Sequence, residues 1–214
     1  MAKVTQAHID ARTKDILDAA MRTFARKGVE STTMHEIAAE ADLSAGAIYR
    51  YFPSKDHLLR GVFADCTQEN REKFEQASAS TDSPCAAIGE IGRSAWGALK
   101  REGARQSAIL SLETVLAAAR KPEELGAARR EMLSAQLDLL SGLVRQAQAV
   151  GEIDAGVDAQ AIATTLLAAY LGSSLLALEL GEMVDTDAVC DVMTGMLRTF
   201  VSQAQEPSRR DDEL

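Results

Sequence analysis

The chain has 214 residues, of which 46 % are apolar and 4 % aromatic, with 23 Lys+Arg against 32 Asp+Glu and a net charge of −9. The apolar share supports a sizeable core and excludes a wholly disordered chain. The acidic balance, taken as an average, argues against nucleic acid, which leaves a basic footprint on its partners.

Residues 1–12 are polar and read as frayed. An amphipathic helix is predicted from Thr13 to about Lys27, with Ile16, Leu17, Ala20 and Phe24 at helical spacing and Gly28 as its C′ residue. Thr33-Met34-His35-Glu36 reads as a capping box opening a short helix, with Ile37, Ala38 and Ala41 as its inner face. Asp42-Leu43-Ser44 breaks that helix, and Ser44 can cap another from Ala45 to about Phe52. Pro53 ends it, because it has no amide to donate and restricts the residue before it. Ser54 then caps a long helix from Lys55 to about Ser78, with Leu59, Val62, Phe63, Cys66 and Phe74 available for burial.

After the turn-rich stretch 79–83, Pro84 sits well at N1 of a further helix. Helices are predicted near 84–101, 105–120, 122–149, 158–180 and 187–204, and a charged disordered tail from Pro207. No alternating strand pattern appears, so the fold class expected is all-α.

Ala161 to Leu178 is eighteen residues without a charge, at the threshold for a membrane span. Thr164, Thr165, Ser173 and Ser174 make it weakly apolar, and Asp158 and Glu179 flank it without Lys or Arg. A soluble helix buried on most of its circumference is the expectation, with no membrane partner. Cys66, Cys85 and Cys190 have no CxxC spacing and read as inert buried thiols in a reducing cytoplasm. The three histidines, His8, His35 and His57, lack metal-ligand spacing, and no Gly-rich phosphate loop or nucleophile elbow occurs. No enzyme activity, metal or cofactor is expected.

Residues 31–60 hold two short helices joined by a tight turn and preceded by a third, a helix-turn-helix arrangement whose second helix enters the DNA major groove. Ile48 and Phe52 share one face and can pack on Leu43 and Ile37, which turns Ala45, Gly46, Ala47, Arg50 and Tyr51 outward. Small residues allow close approach to the groove, and a guanidinium suits the O6 and N7 of guanine. Lys55 at the start of the next helix could hold a phosphate.

The stretch from Thr32 to Leu59, with Ile37-Ala38-x-x-Ala41, Ser44-x-x-x-Ile48-Tyr49-x-x-Phe52 and Ser54-Lys55-x-x-Leu58-Leu59, resembles the TetR family of bacterial transcriptional regulators. The resemblance covers about residues 10–60. It implies a three-helix DNA-binding head over 1–60, a helical ligand-binding and dimerisation domain over 61–206, and a tail over 207–214. Its roles fall residue by residue. Thr33 and Ser44 contact phosphate from helix N-termini, Tyr49 lays its hydroxyl on the backbone, and Ala45, Gly46, Ala47 and Arg50 face base edges. Lys55 holds phosphate. Tyr51, which stands where many relatives have His, contacts phosphate, and Asp42 replaces a common turn glycine, which aspartate tolerates.

The resemblance further implies a repressor that binds a palindromic double-stranded DNA operator as a homodimer and is released by a small-molecule effector, with the helix at 55–78 as lever. Arg93, Trp96, Glu113, Met132 and Tyr170 are the candidates for the effector site. Ala161, Leu167, Ala168, Leu171, Gly172, Leu175, Val192 and Met196 are the candidates for the dimer interface. Charge is then read by region. Residues 1–60 carry nine Lys+Arg and eight Asp+Glu, or +1, and the remaining 14 and 24 leave −10. The acid lies outside the head, where it would repel DNA from the body.

Overall fold

The computed structural model describes residues 6–199, and the predicted tail and the last residues of the final helix lie outside them. Every regular element in this range is helical: α1 Gln6–Lys27, α2 Met34–Glu40, α3 Ala45–Ile48, α4 Lys55–Ala79, α5 Pro84–Ala98, α6 Ala104–Arg120, α7 Ala127–Ala149, α8 Ala159–Leu180 and α9 Thr186–Thr199. A π-helical turn, Pro122–Gly126, joins α6 to α7.

The first helix begins at Gln6, not Thr13. Local bonds from Gln6 to the Asp10 carboxylate and from Thr13 to the Ile9 carbonyl extend it into sequence that is too polar to show a buried face. It ends as expected at Gly28, whose φ is +87°. Thr33 and Glu36 form the complete capping box. Ser54, Ser83 and Asp158 cap α4, α5 and α8 with their side chains.

Two cores organise the chain. The first gathers Ile16, Ala20 and Phe24 of α1, Ile37 of α2, Ile48 of α3 and Leu58, Leu59 and Val62 of α4. It does not stop near residue 60: Leu110, Ala117 and Ala118 of α6 and Leu125 of the π turn belong to the same core. The second core packs Phe74 of α4 with Ile88 of α5, Leu140 and Val144 of α7 and Ile162, Ala163 and Leu166 of α8. The 25-residue α4, roughly 37 Å long at 1.5 Å per residue, is therefore shared by both.

The expectation for the uncharged helix is corrected. Helix α8 buries one face (Ala159, Ile162, Ala163, Leu166, Ser173) and leaves much of the rest exposed, with only 22 % of its most apolar window buried. The reason is its position at the edge of the body: it packs on α7, α6 and α9, and no other element among the described residues covers its outer face. By length and composition alone, Ala159–Met183 could cross a bilayer.

Candidate nucleic-acid interface and body cavity

The α2–α3 unit is built from its caps inward. Glu36 Oε2 accepts from the Thr33 amide at 2.9 Å, and the Thr33 hydroxyl accepts from the Glu36 amide at 3.3 Å. Hydrogen bonds from Lys27 and Thr33 hold the Glu36 carboxyl at about 2, well below the ordinary glutamate value. The turn between the helices places Asp42 at φ +53°, the left-handed region that Asp reaches more readily than most residues. Its carbonyl accepts from Arg12 Nη2 of α1 at 3.0 Å, and the Leu43 amide returns to the Ala38 carbonyl at 2.8 Å.

Helix α3 is shorter than predicted. Regular α-helix ends at Ile48, and the chain continues to Tyr51 through tighter turns, with Arg50 N bonded to Ala47 O and Tyr51 N to Ile48 O. The Phe52 amide still bonds to the Ile48 carbonyl at 3.0 Å, and Pro53 keeps the helix from continuing beyond it. Ile48 and Phe52 face the core at 0 % and 9 % exposure.

The opposite side is open. Ser44, Gly46, Tyr49 and Arg50 are exposed, and Ala45 and Ala47 are half-buried. A Cβ added at Gly46 would meet nothing within 4 Å, so packing does not require that glycine. The Ser44 hydroxyl makes no cap hydrogen bond, contrary to the capping role predicted for it. Tyr51 is half-buried and packs on the head core, so its ring has a structural place.

Two predicted phosphate ligands are already engaged. Thr33 is committed to its capping box. Lys55 turns inward, and its Nζ donates to the carbonyls of Val29 at 2.8 Å, Glu30 at 3.0 Å and Thr32 at 3.0 Å. Its three donors are thus spent on the α1–α2 connection. Five other head cations, Arg12, Lys14, Arg22, Arg26 and Lys27, sit in ion pairs. Burial opposes the charge on Lys14, but hydrogen bonds to Asp65, Glu69 and Asp18 outweigh it and hold the ammonium above its ordinary value.

The body holds a cavity of about 360 Å³ between α4, α5, α7 and α8. Of the five residues predicted there, it brings together two: Trp96 and Tyr170, whose rings meet edge to face at 5.8 Å. Trp96 is 4 % exposed, and its Nε1 has no acceptor. Burial raises the Tyr170 hydroxyl above its ordinary value. The other three lie elsewhere. Glu113 accepts from the Val29 amide at the end of α1, Met132 packs on the head core, and Arg93 is exposed outside the cavity lining. Glu113 and Met132 face the head because α6 and the start of α7 pack against it. Sequence patterning missed Lys73, Phe74 and Arg101 as cavity residues. Lys73 and Arg101 read as ordinary surface cations.

A wider cleft of about 740 Å³ lies where α5 ends and α9 begins. Burial raises the Cys66 thiol to about 11, with the Glu69 and Asp65 carboxylates adding to it, which disfavours a reactive thiolate. Among the described residues, no group of His, Cys, Asp and Glu could hold a metal ion.

Of the predicted interface residues, Ala161, Ala168, Leu171, Gly172 and Leu175 of α8 and Val192 and Met196 of α9 are exposed. Leu167 is the departure: it is half-buried and lines the cavity.

Residues 16–62 match the sequence model of the bacterial regulatory proteins of the tetR family. YfiR of Bacillus subtilis, an uncharacterized HTH-type transcriptional regulator, is 37 % identical over 76 residues, 36 % of this chain and 37 % of its own length. The HTH-type transcriptional repressor KstR of Mycolicibacterium smegmatis is 39 % identical over 71 residues, 33 % of this chain and 31 % of KstR. These matches span about a third of the relatives' length. The fold extends further. The transcriptional regulator FadR from Bacillus subtilis in complex with stearoyl-CoA superposes with a TM-score of 0.74 at 21 % identity, over 88 % of this chain and 99 % of FadR. SmeT, the repressor of the Stenotrophomonas maltophilia multidrug efflux pump SmeDEF, gives 0.68 at 23 % identity, over 89 % and 91 % of the two chains. Residues 16–62 thus carry the helix-turn-helix head of the tetR family of bacterial regulatory proteins, set on an all-helical body that shares the fold of these regulators.

Proposed function

We propose that this protein is a cytoplasmic, ligand-responsive transcriptional repressor that binds a palindromic operator as a homodimer and releases it when a small molecule occupies the body cavity. The observation that carries this reading is the outer side of the α3 segment. Small residues, a Ser44 hydroxyl that makes no cap hydrogen bond, an exposed Tyr49 and an Arg50 without an ion pair among the described residues share one open surface on a tightly cored head.

Phosphate contact falls to Ser44 and Tyr49, and base reading to Arg50 with Ala45, Gly46 and Ala47 lining the approach. Thr33 and Lys55 support the head from within, and Tyr51 anchors the segment. The exposed apolar side of α8, continued onto α9 by Val192 and Met196, supports a two-fold four-helix interface. A second copy accounts for that surface better than a bilayer does, because α8 also packs along α7 and the exposed face is shared with a second helix. Effector binding would favour a conformation with misplaced heads, which lowers operator affinity by the ligand's differential affinity.

Selection of bound fragments from the encoding genome, followed by a gel-shift titration against salt, tests the reading. A specific complex of two chains whose affinity falls with salt is expected. A chain that selects no sequence above background would overturn it.

A further inference from the structure

We propose that the body cavity takes a compact apolar carboxylate, its hydrocarbon body against Phe74, Trp96 and Tyr170 and its anionic end toward Lys73 and Arg101. This rests on the reading of the cavity as the effector site and assigns its ligand class.

The volume of about 360 Å³ lies at the small end of the ~300–1,000 Å³ usual for small-molecule sites. It suits a one- or two-ring body or a chain of medium length. The inner wall is apolar, with Ile88, Leu140 and Leu166 beside three of the chain's nine aromatic residues.

Charge selects the polar end. The lining holds two cations, Lys73 and Arg101, and one carboxylate, Glu90. Glu90 accepts from the Ser80 hydroxyl at 2.7 Å and pairs with neither cation. No ion pair involves Lys73 or Arg101 among the described residues, although the chain carries an excess of nine acids. Cations left without partners at the wall of one cavity, in an acidic protein, favour an anion over a neutral or cationic occupant. The Trp96 ring lines the inner wall, and its Nε1–H is buried without an acceptor among the described residues. The side-chain amides of Asn70 and Gln136 on the same lining make no hydrogen bond within the described fold and remain available to the polar end.

Trp96 is the one tryptophan of the sequence, so its emission reports on the cavity directly. The full chain would be titrated with 1-naphthoate and with its neutral counterpart 1-naphthamide, by calorimetry and by Trp96 emission. The acid is expected to bind one per chain and about tenfold tighter than the amide. In the double variant Lys73→Met, Arg101→Met that preference should fall to about twofold or less, with amide affinity unchanged. Both side chains are exposed, and a circular-dichroism melt checks that the variant stays folded. Equal binding of acid and amide, or a preference that survives the double variant, overturns the ligand class and leaves the effector cavity standing. No heat and no emission change with either probe overturns both.

Discussion

At the scale of single residues, partners decide roles that residue type leaves open. Lys55 and Arg50 are both cations near the reading surface, yet Lys55 is consumed by three carbonyls, while Arg50 is exposed and makes no ion pair among the described residues. Arg50→Ala should therefore weaken operator binding by about 1–3 kcal/mol and relax preference at one base pair, read by competition gel shifts. Lys55→Met should act on the fold instead. Loss of its charged hydrogen bonds is expected to lower stability by about 1–3 kcal/mol in a denaturant melt, while the salt slope of DNA binding stays unchanged.

Glu36 gives a prediction in pH. Its folded carboxyl titrates near 2, below the ordinary glutamate value. A depressed folded value contributes stability above the unfolded value and loses it as pH falls from about 5 toward 2. The group is exposed, so added salt should shrink the effect. Acid titration of wild type and Glu36→Gln by circular dichroism checks this: the variant should lose part of the wild type's acid sensitivity over that window.

At the scale of elements, close approach explains two glycines. A Cβ on Gly61 of α4 would lie 2.8 Å from Phe52 Cε1 and 3.0 Å from Leu17 Cδ2, both in the head core. Gly61→Ala gains up to about 1 kcal/mol of helix propensity but overpacks that core by about 1–3 kcal/mol. A net loss of stability is expected, measured by thermal melt. Gly28 combines its positive φ with a Glu113 carboxylate that would meet an added Cβ at 2.6 Å. This contact ties α6 to the end of α1, alongside the shared core of Leu110, Ala117 and Ala118. The head is thus joined to the body through α6 as well as α4. A lever built on α4 alone leaves out this second connection.

At the scale of the molecule, the exposed faces of α8 and α9 set the expected assembly. The double variant Leu175→Asp, Val192→Asp places charge on both helices at exposed positions. It should sediment as a monomer with its helical content intact and lose most operator affinity, because one head makes half the contacts. Electrostatics sharpen the DNA expectation further. Five head cations are in ion pairs and Lys55 is turned inward, so the head's +1 overstates what phosphates meet. A shallow salt slope follows.

Local chemistry made much of the fold legible in the sequence. The Thr33–Glu36 box, Gly28, Asp42, Ser54, Pro84 and Asp158 act through neighbours within a few residues, so their roles follow from residue type and spacing. The all-helical class and the helix-turn-helix follow from the same signals joined to apolar periodicity. Contacts between residues far apart in the chain carry no such mark. Tertiary packing alone turned Lys55 toward the Val29, Glu30 and Thr32 carbonyls and brought Glu113 to Gly28. The same packing placed Leu167 in the cavity wall rather than on the outer face, and set Lys73, Trp96, Arg101 and Tyr170 along one cavity. Periodicity reports which face of a helix is apolar, but only the positions of neighbouring helices decide what covers it.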